Sequence, residues 1–147
     1  MNNLYVDFIS YSTLGFAILI VGLILFELTT KNKEFRLIFS GNVAAGLSLG
    51  GRLAGLAIVV RAAAENSISL SDMLLWGVIG IVSLIILFYL AELLALVFGR
   101  AIGIPATITK AVDQNNIAVG IMILLLSVSV GLVIAGCLSY DPAVAAG

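Results

Sequence analysis

The runs ILIVGLILF (18–26) and LLWGVIGIVSLIILF (74–88) contain neither a charge nor an alternation of polar with apolar residues. Long neutral intervals of this kind limit the possible folds more than any other feature of the chain. A helix needs about 20 apolar residues to cross the roughly 30 Å hydrocarbon core of a bilayer, and lipid-facing peptide groups there must be hydrogen-bonded within the chain. Four intervals between charged residues are long enough, predicting helices near 10–30, 40–62, 73–98 and 115–139. A membrane barrel would require short alternating strands and is excluded. Composition agrees, with 62% of the 147 residues hydrophobic and 10% charged, whereas soluble domains carry about 25% charged residues. The expected fold is all-α: a single polytopic membrane domain over 1–147 with four transmembrane helices.

The net charge of −1 and the absence of histidine leave no basic footprint for nucleic acid and no histidine-based metal site. Neither a metal nor a cofactor is expected. Cys137 is the single cysteine, so no intrachain disulfide forms, and it reads as a small apolar residue. The leading MNNLYVDFIS has no basic residue and no small-x-small cleavage pattern follows the first apolar run, so that run reads as a retained span. Lys31, Lys33 and Arg36 lie in the first loop, Arg61 beside the second, and Arg100 and Lys110 in the third, with none in either tail. The positive-inside rule then makes loops one and three cytoplasmic and both termini external. Tyr5, Tyr11, Trp76 and Tyr140 fall near the outer helix ends, where amphipathic rings prefer to sit. In the longest connection, RAIGIPATITKAVD (100–113), Pro105 interrupts any helix, and Ile104, Ile108 and Val112 are placed to lie along the membrane interface.

NVAAG (42–46) aligns with NIAVG (116–120), each opening a span that runs outward. Each is preceded by an inward span with a glutamate near its cytoplasmic end, Glu27 in one and Glu92 in the other. The pattern predicts two parallel helix hairpins, repeat 1 at about 10–62 and repeat 2 at about 73–139. Asn42 and Asn116 are expected to cap their helices, a reading preferred over a ligand role.

In the second span Gly46, Gly50 and Ala54 share one helical ridge, and Gly51 and Gly55 share the next. Ser127, Gly131 and Ala135 form a sparser ridge in the fourth. Such faces allow close helix approach, within the chain or between copies, and self-association is the expectation. Arg52 interrupts this glycine-rich span about 15 Å from its cytoplasmic end. An arginine at that depth costs about 2.5–3.5 kcal/mol, so it should face a partner, the bundle interior or water. Glu92 is the first-choice partner and Glu27 the second. A register-fixing ion pair, a hydrated pathway and a lipid or ligand headgroup site remain as roles.

The run GNVAAGLSLGGRLAGLAIVVRAAAENSISLSDMLLWG (41–77), followed by NIAVGIMILL (116–125), resembles the bacterial inner-membrane family of YjfL type, domain of unknown function 350. The resemblance runs from about residue 12 to 138. It is carried by Asn42, Ala44, Ala45 and Gly46, by Ser67, Ser69 and Ser71, by Asp72 and Trp76, and by Asn116, Ala118 and Gly120. It implies a duplicated-hairpin fold and an inner-membrane location, but no activity and no catalytic residues. Arg52 departs from it, standing where the family leads one to expect a neutral residue.

No nucleophile–base pair, phosphate-cradling loop or dinucleotide fingerprint is present, so an enzyme is not expected. The first functional expectation is a non-catalytic membrane protein in contact with lipids, acting as a homo-oligomeric scaffold or as an accessory subunit of a membrane complex. The alternative is a small-solute or ion channel or transporter formed by several copies, with Arg52, Glu92, Glu27, Asn42 and Asn116 along its path.

Overall fold

The computed structural model describes residues 3–31, 33–103 and 107–139. It contains four long helices and two short ones: α1 (Leu4–Thr29), α2 (Glu34–Phe39), α3 (Val43–Asn66), α4 (Leu70–Ala101), α5 (Ile108–Asp113) and α6 (Ile117–Leu138). There is no strand among the described residues. The four long helices are those with the length and hydropathy to cross a membrane. At 32 residues, α4 exceeds what a perpendicular crossing needs and must tilt or project beyond the hydrocarbon.

α3 is the central helix, with 56% of its membrane-crossing window buried, against 17%, 17% and 22% for α1, α4 and α6. The outer helices bury narrow stripes at helical spacing: Gly15, Ile18, Gly22 and Phe26 on α1, Met73, Gly77, Gly80, Ile81, Leu84 and Phe88 on α4, and Gly120, Ile123, Ser127 and Gly131 on α6. Their remaining surface is apolar and exposed, as expected of helices solvated by lipid.

The closest seam joins α3 and α6 backbone to backbone. A methyl group added at Gly131 would lie 2.5 Å from the Gly55 carbonyl oxygen and 2.8 Å from its Cα, and one at Gly120 would lie 2.9 Å from the Ala44 Cα. Gly51 and Gly55 likewise face Leu124 and Ser127. The ridges behave differently: Gly51 and Gly55 are filled by the chain's own α6, whereas a methyl group at Gly46 or Gly50 meets nothing within 4 Å. Gly50 and Ala54 are exposed, and Gly46 is half-buried.

α2 and α5 are each six residues long, and each is followed by a left-handed residue, Gly41 (φ 88°) or Asn115 (φ 58°). Glycine and asparagine tolerate that conformation best. The turns also share hydrogen bonds: the Asn42 amide donates to the Leu37 carbonyl at 2.9 Å, and the Asn116 amide to the Ala111 carbonyl at 2.8 Å. Ile108 and Val112 were expected along the interface but point inward, 2% and 1% exposed, because α5 is amphipathic and its apolar side closes the end of the bundle. Ile104, Pro105 and Tyr140 lie outside the described residues. Cys137 is an exposed free thiol.

Gly131→Ala should lower stability by about 1–3 kcal/mol, the usual cost of overpacking. Gly136→Ala, where an added methyl meets nothing within 4 Å, should change it by less than about 0.5 kcal/mol. Thermal unfolding of both variants in detergent checks the contrast.

Candidate functional site

Arg52 is 1% exposed, and its side chain is held by polar and aromatic partners. Its guanidinium pairs with Glu34 through Nη2 and Oε2. Ser48, one turn earlier on α3, donates its hydroxyl to the other Glu34 oxygen at 3.0 Å, and the Ser48 carbonyl accepts from Arg52 Nε at 3.4 Å. Two aromatic faces complete the enclosure: the guanidinium carbon lies 5.3 Å from the Phe26 ring centre and 4.8 Å from that of Phe88. A cation between two π faces is stabilised electrostatically, most strongly where water is excluded. Burial holds the Glu34 carboxyl above its ordinary range, against the opposing pull of the Arg52 charge and the Ser48 hydroxyl.

Each partner is positioned by its own element. Phe26 ends the buried stripe of α1, and Phe88 belongs to that of α4. Glu34 opens α2, which turns its first residue inward while Phe35, Arg36 and Phe39 face out. Arg52 therefore faces a carboxylate, as its depth required, but not Glu92 or Glu27.

Both of those glutamates have another task. Glu27 Oε2 accepts from the Phe35 amide at 3.2 Å, and Glu92 Oε2 accepts from the Thr109 amide at 3.1 Å. Phe35 and Thr109 are the second residues of α2 and α5, where amides have no partner inside the helix, and a carboxylate satisfies them well. Each glutamate thus ties the C-terminal part of a long helix to the short helix that follows.

The asparagines act as caps. Asn42 accepts from the Ala45 amide at 2.9 Å and Asn116 from the Val119 amide at 3.4 Å. Asn42 also reaches across the bundle, donating from Nδ2 to the Val112 carbonyl at 2.7 Å, while Asn115 Oδ1 accepts from the Ala44 amide at 3.0 Å. These bonds fasten the start of α3 to α5. Ser127 and Gly131 lie buried against α3, and Ala135 is half-buried beyond them. The Ser127 hydroxyl is buried without a hydrogen-bond partner among the described residues.

Sequence reasoning missed Glu34, Ser48, Phe26, Phe88 and Asn115. The available signal was the lone acid in KNKEFRLIF, followed at helical spacing by Leu37 and Ile38. No group of three or more histidine, cysteine, aspartate or glutamate side chains able to hold a metal is found among the described residues.

Four helices with the length and hydropathy to cross a bilayer, three of them enclosing a buried arginine–glutamate pair, define a polytopic integral membrane protein. The chain belongs to the family described as Domain of Unknown Function (DUF350), whose model matches residues 1–138. It is 31% identical over 133 residues to UPF0719 transmembrane protein YshE of Bacillus subtilis (strain 168), covering 90% of this chain and 93% of that protein. It is 29% identical over 133 residues to UPF0719 inner membrane protein YjfL of Escherichia coli (strain K12), with the same coverage of 90% and 93%. No solved structure matches the chain.

Glu34→Gln leaves the buried guanidinium without its counter-charge and should destabilise the protein by about 3–5 kcal/mol. Glu92→Gln keeps an acceptor for the Thr109 amide and should cost less than about 1.5 kcal/mol. Denaturation of both in the same detergent checks the order, and an equal or larger loss in the Glu92 variant would show that the ion pair is not the main lock.

Proposed function

We propose that this protein is a non-catalytic membrane building block that assembles with copies of itself, as a scaffold or accessory subunit of a larger complex. The observation that carries the reading is the open ridge of Gly46, Gly50 and Ala54. Small residues bring no advantage against fluid acyl chains, but they let a second helix approach closely and gain dispersion contacts. The neighbouring ridge already does this inside the chain, where Gly51 and Gly55 receive α6. The open ridge is the same device without its helix.

A conducting role is less well supported. Arg52 is shut between Glu34, Phe26 and Phe88, and Glu92 and Glu27 each spend an oxygen on a backbone amide. These groups favour fixed architecture over a water-filled path.

The gathering of Lys31, Lys33, Arg36, Arg100 and Lys110 in the first and third loops supports an orientation with both termini outside. A relative named as an inner membrane protein supports placement in the bacterial cytoplasmic membrane. Descent from a duplicated helix hairpin is supported by the equal lengths of α2 and α5, their left-handed exits, the two asparagine caps and the two glutamate ties.

Native mass spectrometry of the detergent-solubilised chain should show a defined multimer. Gly50→Leu should shift it toward monomer with little change in melting temperature, since nothing of its own chain lies near that position. A wild type that is monomeric at all concentrations would overturn the reading.

A further inference from the structure

Beside α2, at the end of the bundle where the polypeptide re-enters the membrane, Lys31, Lys33, Arg36, Leu37, Ser40 and Asp113 line an open cavity of about 460 Å³. Its three cations form no ion pair within 4 Å among the described residues. The acids nearest in sequence are engaged elsewhere, Glu27 on the Phe35 amide and Glu34 with Arg52. Asp113 is the one carboxylate on the wall, so positive charge is in excess around the space, while the Ser40 hydroxyl at its edge donates to the Leu37 carbonyl at 2.7 Å.

Cations gathered in this way repel one another, and an anion between them removes the repulsion while gaining several charge-assisted hydrogen bonds. The surroundings select the kind of anion. Phe35 and Phe39, one turn apart on α2, are 37% and 88% exposed. α2 is followed within a few residues by α3, which has the length and hydropathy to cross a membrane, so two exposed rings stand beside a cationic hollow at an end of the spans, the zone where aromatic rings meet the boundary of chains and headgroups.

We infer that this cavity holds the phosphate headgroup of an anionic phospholipid from the adjoining leaflet, with Lys31, Lys33 and Arg36 on the phosphate and Phe35 and Phe39 among its chains. The site is independent of self-assembly, because the open glycine ridge takes no part in it.

Native mass spectrometry of the full chain, with phosphatidylglycerol or phosphatidylcholine added to detergent micelles, tests the site. The wild type should retain phosphatidylglycerol at least about tenfold more than phosphatidylcholine. Each cation near a lipid headgroup contributes about a fivefold preference, so the combined Lys31→Gln, Lys33→Gln and Arg36→Gln variant should lose the discrimination. All three side chains are exposed, so the fold does not depend on them. Asp113→Asn should raise retention, an effect that misfolding does not produce. Equal retention of the two lipids by the wild type, or undiminished phosphatidylglycerol on the triple variant, would overturn the assignment. So would displacement of the lipid by millimolar inorganic phosphate, which would mark a site for the free anion.

Discussion

Removing a guanidinium from water is expensive, and the half of this bundle that carries the short helices is arranged to offset that cost. Arg52 receives a carboxylate from α2, the backbone and hydroxyl oxygens of Ser48 on its own helix, and ring faces from α1 and α4. No single element supplies enough. An ion pair of this kind adds little net stability compared with well-packed apolar residues, but it penalises wrong arrangements heavily, because any arrangement that separates the partners leaves a bare charge in a medium of low dielectric. The docking of α2 and the rotations of α1 and α4 all converge on this one charge. The two phenylalanines add to this by shielding the pair from lipid and water alike.

The seam between α3 and α6 works on a different principle. Lipid tails are as apolar as leucine, so burying leucine gains little inside a membrane, and cohesion comes from closeness of approach. Gly51, Gly55, Gly120 and Gly131 let the two backbones meet, which multiplies dispersion contacts over a length of several turns. The polar ties at one end, Glu27 to α2, Glu92 to α5 and Asn42 to Val112, then hold the short helices against this core. Steric closeness and ionic restraint therefore meet on one helix, α3, which explains its greater burial.

Much of this arrangement was legible in the residues. The four spans follow from charge spacing, since a charge within lipid is too costly to be scattered at random, and Arg52 had to face inward for the same reason. The asparagine caps were legible because their chemistry is local. The partner of Arg52 was not. Depth along a helix is readable only for residues assigned to a helix, and Glu34 lies in a six-residue segment whose folding depends on the bundle it docks against. Glycine spacing likewise revealed two small-residue ridges without revealing which one α6 occupies, because that depends on how the helices are rotated against each other.

The order of the residues along the chain has a consequence for biogenesis. Glu34 precedes Arg52 by 18 positions, and Phe26 comes earlier still, so a ribosome delivers the counter-ion and one ring before the guanidinium itself. When α3 leaves the translocon, its most costly side chain can already be neutralised, and the wait for α4 concerns only the second ring. A partner at Glu92 would have left a naked cation in the membrane while most of the third span was still being synthesised.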